Sequence, residues 1–310
     1  MFYKKISEYL KNKYGEKVYK IPVNITSRCP NANGSLGGCA FCSREAVSSE
    51  MMPEDISVSE QLDCNIAYIS KRYGANKFIA YFQSGTNTFM QPEELERYMN
   101  EVNRPDIAAL SFSTRPDCVN EEMLEKMAEY NAKTGRDIEL ELGLQSVNYK
   151  TLKKIDRGHS LAEFIDAVLM IKKYGFDIGA HIILNLPWDD MEDEIEAAKL
   201  LSALKIDIVK AHSLYIAKNT KFAQWYQAGK FEICSLEEYV KRAAMFIAYL
   251  DPNIAVERLT ARASKEDTLF CNYDRSWWVI MDMIQDYAER NGIYQGVYFD
   301  YLGGKQLKRL

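Results

Sequence analysis

Three cysteines mark where this sequence could do chemistry. The run Cys29-Pro-Asn-Ala-Asn-Gly-Ser-Leu-Gly-Gly-Cys39-Ala-Phe-Cys42 places three thiols close together among small and polar residues. Thiolates are soft donors that suit zinc or an iron–sulfur cluster, so the pattern predicts one metal centre. A closed structural site takes four ligands, and three leave one coordination position open for chemistry. A structural zinc knot would need a fourth ligand, for which the chain offers His159, His181, His212 or Cys64. Cys118, Cys234 and Cys271 have no nearby partner in sequence and read as inert thiols. The segment around Cys271, Phe270 to Trp278, is expected to fold over the mouth of the site, with Trp277 and Trp278 as core aromatics.

Composition bounds the rest. The chain has 310 residues, 47% hydrophobic and 27% charged, as a globular protein of one large or two smaller domains has. No apolar run approaches the roughly 20 residues that span a bilayer. The N-terminus is charged and short of apolar length, which is not a secretory signal. The chain is therefore expected in the cytoplasm, away from membranes. Seven cysteines, most of them scattered, predict free thiols and one metal site instead of a disulfide framework. A net charge of −5 argues against a broad nucleic-acid-binding surface. The lysines between Lys4 and Lys20, and Lys305, Lys308 and Arg309 at the end, read as solvated helix faces and a tail.

The elements that must hold the cysteines repeat along the chain. A short amphipathic helix closed by Gly15 precedes a strand from Tyr19 to Ile25, which runs straight into the cysteine loop. Ser57-Val-Ser-Glu60 is a capping box that opens a helix ending near Gly74. Further strands are predicted at Lys77–Phe82, Ile107–Ser113, Ile138–Leu144, Ile178–Leu184 and Ile206–Ala211, the helices between them including ones capped by Asn120 and Ser160. In the Ser160 helix, Leu161, Phe164, Ile165, Val168 and Leu169 are expected on one apolar face. Strand starts about 30 to 40 residues apart with helices between them are the pattern of βαβ units and a parallel sheet. The predicted fold is α/β, a partial (β/α)6 barrel of the TIM type, whose chemistry sits at the C-terminal strand ends. The polar turns Gln83–Thr88, Thr114–Asp117, Gln145-Ser146 and Asn185–Trp188 lie at such ends, as does the cysteine loop. Beyond residue 213 the pattern changes: a helix from Ser235 to Leu250, one more strand at Ile254–Arg258, and an aromatic-rich helix from Asp274 to Arg290. Residues 1–215 are read as the barrel core with its N-terminal helix, and 216–310 as an α/β extension packed on it.

Cys29-x9-Cys39-x2-Cys42 on this β/α pattern resembles the radical S-adenosylmethionine (SAM) superfamily, although the common spacing there is Cys-x3-Cys-x2-Cys. The longer first gap resembles the YhcC-like branch, which is related to the elongator catalytic subunit and to the oxygen-independent coproporphyrinogen oxidase. Tyr81-Phe-Gln83, Thr114–Cys118, Glu139–Gln145 and Arg157-Gly-His159 carry the resemblance further, over roughly residues 15 to 285. It implies that Cys29, Cys39 and Cys42 hold three irons of a [4Fe–4S] cluster whose fourth iron chelates SAM. Reductive cleavage of SAM would then give a 5′-deoxyadenosyl radical that abstracts hydrogen from a substrate.

By the same resemblance, Phe41 sits by the adenine, and Ser84-Gly85-Thr86 takes the place of a Gly-Gly-containing turn that binds the SAM amino group. Gln145 corresponds to a residue that binds the ribose, Arg157 to the arginine that pairs with the SAM carboxylate, and His181 to a position that carries an aspartate in a relative. A glycine at Gly85 allows close backbone approach. Asn185 and Trp188 stand where glycines are common. Arg115, Tyr215 and Arg258 fall near strand ends and are substrate-pocket candidates. The resemblance also implies a one-electron donor such as flavodoxin or ferredoxin. The substrate is unreadable: a small molecule, a peptide, or RNA as a target of modification. Two other readings stay open, a non-catalytic iron–sulfur or zinc protein serving as sensor or electron carrier, and an enzyme that transfers the SAM methyl group without a radical.

Overall fold

A computed structural model describes residues 2–33, 37–43 and 51–309. Helix α1 (Ile6–Tyr14) ends at Gly15 and leads into β1 (Val18–Val23). The chain then alternates through α2 (Val58–Tyr73), β2 (Lys77–Phe82), α3 (Pro92–Glu101), β3 (Ile107–Thr114), α4 (Glu121–Thr134), β4 (Asp137–Gln145), α5 (Tyr149–Lys154), α6 (Leu161–Lys172), β5 (Asp177–Ile183), α7 (Met191–Ala203) and β6 (Ile208–His212). The short β7 (Tyr215–Ala217), α8 (Lys221–Gln227), α9 (Leu236–Tyr249), β8 (Ala255–Arg258), β9 (Thr268–Cys271) and α10 (Trp277–Arg290) complete it.

Seven strands pair in parallel in the order β1-β2-β3-β4-β5-β6-β8, and the sheet curls into a partial barrel. The six expected strands are there, and the extra strand near 254–258 joins them as the seventh. β7 and β9 form a separate antiparallel pair, an element the sequence reading lacked. The expected caps hold their helices: Ser57 and Glu60 form a capping box on α2, and Asn120 accepts from the Met123 N–H at the start of α4. No helix among the described residues is long and apolar enough to cross a membrane.

Strand side chains alternate between the two faces of the sheet. Outward, Ile21, Val23, Phe78, Phe82, Leu110, Phe112, Leu140, Leu142, Ile178, Ile182 and Val209 pack with Leu62, Leu95, Met99, Leu124, Phe164, Val168, Leu201, Tyr239 and Phe246 in one core. Leu169 departs from the expected apolar face of α6 and is 53% exposed, because the helix buries only the stripe through Phe164, Ala167, Val168 and Ile171.

Inward, the sheet is polar. Lys20 on β1 reaches Glu139 on β4 at 2.6 Å, Glu141 on the same strand, and Glu257 on β8 at 3.2 Å. Lys210 on β6 bonds Glu141 at 2.9 Å and Glu257 at 3.0 Å. One lysine on an edge strand meets both the middle and the far edge of the sheet only because the sheet curls. Charges taken from water cost several kcal/mol each unless paired, and here each faces opposite charges. Helix α1 closes the N-terminal ends of the strands. Leu10 packs on Val18, Ile79 and Ala109. Lys13 bonds Asp177 at 2.5 Å and Asp137 at 3.0 Å, and the Tyr14 hydroxyl donates to Asp137. The barrel is thus closed below and open above.

Candidate active site

The open end is a cavity of about 420 Å³ whose wall contains Cys29, Cys39, Cys42, Phe41, Ser84, Gly85, Thr86, Gln145, Arg157 and His181. Every residue that the resemblance assigns to the cluster or to SAM lines this one space. Arg115, Tyr215 and Arg258 line it too. Lys20 and Lys210 lie beneath it, and Tyr81, Glu141 and His181 form part of its floor.

The cysteine loop is held from several sides. The Ala40 N–H donates to the Ile155 carbonyl at 2.8 Å, and the Phe222 N–H donates to the Ala40 carbonyl at 2.9 Å. Phe41 packs edge-on against Phe222. Asn31 donates to the Cys39 sulfur at 3.2 Å and to the Asp156 carbonyl at 2.7 Å, and Arg157 Nη1 approaches the same sulfur at 3.5 Å. Cys29 is half-buried, which disfavours its thiolate. The Thr86 hydroxyl, the backbone of Asn31 and Ala32, and the Arg115 guanidinium outweigh burial and lower its pKa.

These surroundings suit thiolate ligands. Among the described residues, no three His, Cys, Asp or Glu side chains converge as ligands of a single metal ion. The three thiols share a cavity wall, not one ion's coordination shell. A cluster, which puts each sulfur on a different iron, fits three thiols spread along one cavity wall. Of the other zinc candidates, Cys64 is exposed, away from the cavity wall.

The remaining wall is shaped by backbone. Gly85 has φ +74°, a region that favours glycine, and a Cβ there would run into the Ser27 side chain. Ser27 in turn donates to the Ser84 carbonyl at 2.7 Å, pinning the turn. Gln145 ends β4 with φ +73° beside a register shift between β4 and β5. A non-glycine residue there is strained, and its carboxamide lies beside Gly143 at the cavity wall. A Cβ on Gly143 would lie 2.5 Å from Arg157 Nη2 and 2.9 Å from Gln145 Nε2, so glycine makes room for both.

Arg157 donates from Nη2 to the Gly143 carbonyl and from Nε to His159 Nε2, both at 2.8 Å. Burial, reinforced by the Arg157 charge, lowers the His159 pKa to about 4, so the ring is neutral and accepts from Arg157. Its other nitrogen, Nδ1, then carries the proton and donates to the Ser160 carbonyl. His181 is also held neutral, by burial first and Lys210 second, and its Nε2 donates to Glu141 at 2.6 Å.

Asn185 and Trp188 have structural partners. Asn185 accepts from the Leu214 N–H at 2.5 Å and donates to the Tyr273 hydroxyl at 3.0 Å. Trp188 packs on Phe222, Trp225 and Phe231. Cys271 sits in β9 opposite Tyr215 and does not line the cavity. Trp277 and Trp278, expected in the core, are 41% and 55% exposed, because they open α10 on its outer face. The polar floor and Arg262 were missed in the sequence, although period-two polarity in Glu139-Leu-Glu141-Leu-Gly143 was a visible signal for the floor.

Residues 23–201 match the model of the radical SAM superfamily, and 206–290 match the Radical_SAM C-terminal domain. Protein YhcC of Escherichia coli is 30% identical over 289 residues, 92% of this chain and 91% of that protein. A tRNA uridine(34) acetyltransferase of Methanocaldococcus infernus is 26% identical over 152 residues, 48% of this chain and 27% of its own length. Among solved structures, the archaeal Elp3 of Methanocaldococcus infernus with an N-terminal deletion superposes with a TM-score of 0.67 at 18% identity, covering 90% of this chain and 64% of that one. That likeness is one of fold.

Proposed function

This chain belongs to the radical SAM superfamily, whose members are enzymes, and on that premise we propose that it cleaves SAM reductively and abstracts hydrogen from a substrate in the barrel mouth. The family's cofactors are a [4Fe–4S] cluster and SAM. Bound together, they supply one-electron cleavage of the sulfonium and a 5′-deoxyadenosyl radical. In this reading Cys29, Cys39 and Cys42 hold the cluster, and Asn31, Thr86 and Arg115 stabilise their thiolates. Arg157, steadied by neutral His159, offers its guanidinium to the SAM carboxylate. The Ser84-Gly85-Thr86 backbone receives the amino group, Gln145 and His181 the ribose, and Phe41 the adenine. The closed floor and the plug of α1 keep water from a reactive intermediate. One-electron delivery falls to a flavodoxin or ferredoxin.

One observation carries this reading: the three thiols and all seven candidate SAM contacts line the same cavity. RNA is the substrate class favoured by the tRNA-modifying relative, which matches about half of this chain. The test is anaerobic reconstitution with iron and sulfide, then reduction with SAM present. The expected product is 5′-deoxyadenosine, with both product and cluster absorbance lost in Cys39→Ala. S-adenosylhomocysteine in its place, or no cleavage by a cluster-loaded protein, overturns the proposal.

A further inference from the structure

We propose that Arg258 and Arg262 form a phosphate-binding subsite for the substrate at the β8 edge of the cavity. This rests on the reading above and adds a substrate class to it. Four arginines line the cavity, and among its described lining residues Glu141 is the one carboxylate. Arg115 is held by both oxygens of Asp117, at 2.8 and 2.9 Å, and by the Arg157 carbonyl. Arg157 is held by His159 and Gly143. Among the described residues, Arg258 and Arg262 have no such partners.

Arg258 ends β8, and its Nε is buried without a hydrogen-bond acceptor. The adjacent Glu257 is turned to Lys20 and Lys210 and leaves the Arg258 Nε without a hydrogen bond. Glu141 is likewise engaged by Lys20, Lys210 and His181. Arg262 lies exposed at the mouth with its guanidinium over the Trp277 ring, 4.7 Å from the centroid. Stacking fixes the group while leaving its in-plane N–H donors for a ligand. A buried donor without an acceptor is costly, and an oxyanion between the two arginines relieves it.

The position favours substrate over SAM. β8 carries none of the residues assigned to the cluster or to SAM, which follow β1, β2 and α5 or lie on β4 and β5, and Arg157 is already assigned to the SAM carboxylate. Two guanidiniums without an ion-pair partner among the described residues match a phosphate, with charge approaching −2 and several acceptor oxygens, better than a carboxylate.

The test uses the cluster-loaded protein with SAM and no reductant, titrated calorimetrically with inorganic phosphate and, as a carboxylate control, acetate. Phosphate is expected to bind at least tenfold tighter than acetate. Arg258→Gln and Arg262→Gln should each weaken phosphate at least tenfold while SAM affinity stays within twofold, and Arg258→Lys should recover part of the loss. Arg262 is exposed, so its variant decides the matter if Arg258→Gln does not fold. Ribose 5-phosphate and a short oligonucleotide, as competitors, distinguish a phosphomonoester from a phosphodiester substrate. Unchanged phosphate binding in the variants, acetate binding as tight as phosphate, a parallel loss of SAM affinity, or competition by neither phosphate compound overturns the proposal. Because no turnover is needed, absent 5′-deoxyadenosine alongside intact phosphate binding counts against the radical reading alone.

Discussion

Lys20 shows how one buried side chain organises the floor. Its ammonium sits among Glu139, Glu141 and Glu257. Removing it leaves Glu139 without its ion-pair partner while Lys210 keeps Glu141 and Glu257, and Lys20→Met should cost about 3–5 kcal/mol, read from denaturant midpoints against wild type. Glu139 and Glu141 respond differently to this environment. Burial and its neighbour raise Glu139 to about 7 despite Lys20, whereas Glu141, with two lysines and His181, is held well below the usual range. Asp189 offers a cleaner titration. Burial raises its carboxyl from 3.8 to about 6, against the Ser146 and Thr151 hydroxyls. A raised acid pKa means the folded state keeps a proton that the unfolded state has lost. Stability from this group is therefore present below pH 4 and lost as pH rises to 6. Asp189→Asn removes that slope: relative to wild type it should gain roughly 3 kcal/mol between pH 4 and 7, at about 1.4 kcal/mol per unit. A parallel pair of stability-versus-pH curves would refute this assignment.

At the scale of elements, two features position the site. Helix α1 closes the barrel through apolar packing at Leu10 and through bonds from its lysine and tyrosines to Asp137 and Asp177. Leu10→Ala should cost about 2–5 kcal/mol and increase hydrogen exchange in β1 and β2; a loss below 1 kcal/mol would mean that α1 is not docked. The second feature is the end of β4, where Gly143 and the strained Gln145 let Arg157 approach the strand backbone. Gly143→Ala should weaken SAM binding at least tenfold by equilibrium dialysis with little change in cluster content. Cap residues and parallel-strand runs announced these elements in the sequence, since both depend on local residue type. The β7–β9 pair was not legible, because its strands have three and four residues and lie 50 residues apart; nothing local distinguishes such a strand from a loop.

Across the whole molecule, the segment after residue 215 completes the sheet. β8 pairs with β6, and the N-terminal segment bridges to Val256. Tyr239, Phe246 and Ile247 enter the main core, and Arg242 donates to the Asp189 carbonyl at 2.7 Å. We propose that 216–310 is an extension of the barrel and not a separately folding unit. A fragment of residues 1–215 should therefore lack a cooperative melting transition, and a sharp transition near that of the full chain would refute this.

The amino-acid sequence by itself determined the β/α order, because caps and apolar periodicity are carried by neighbouring residues, and its ordered short motifs were enough to resemble the family and to nominate the three thiols as ligands. Only the tertiary structure decided which charges meet. Lys20, Glu139, Lys210 and Glu257 are far apart in the chain and converge through the curl of the sheet. The same curl turns Arg258 and Arg262, four residues apart in the chain, toward the cavity that the cysteines line. Such pairing depends on side chains from distant strands, and no local pattern encodes it.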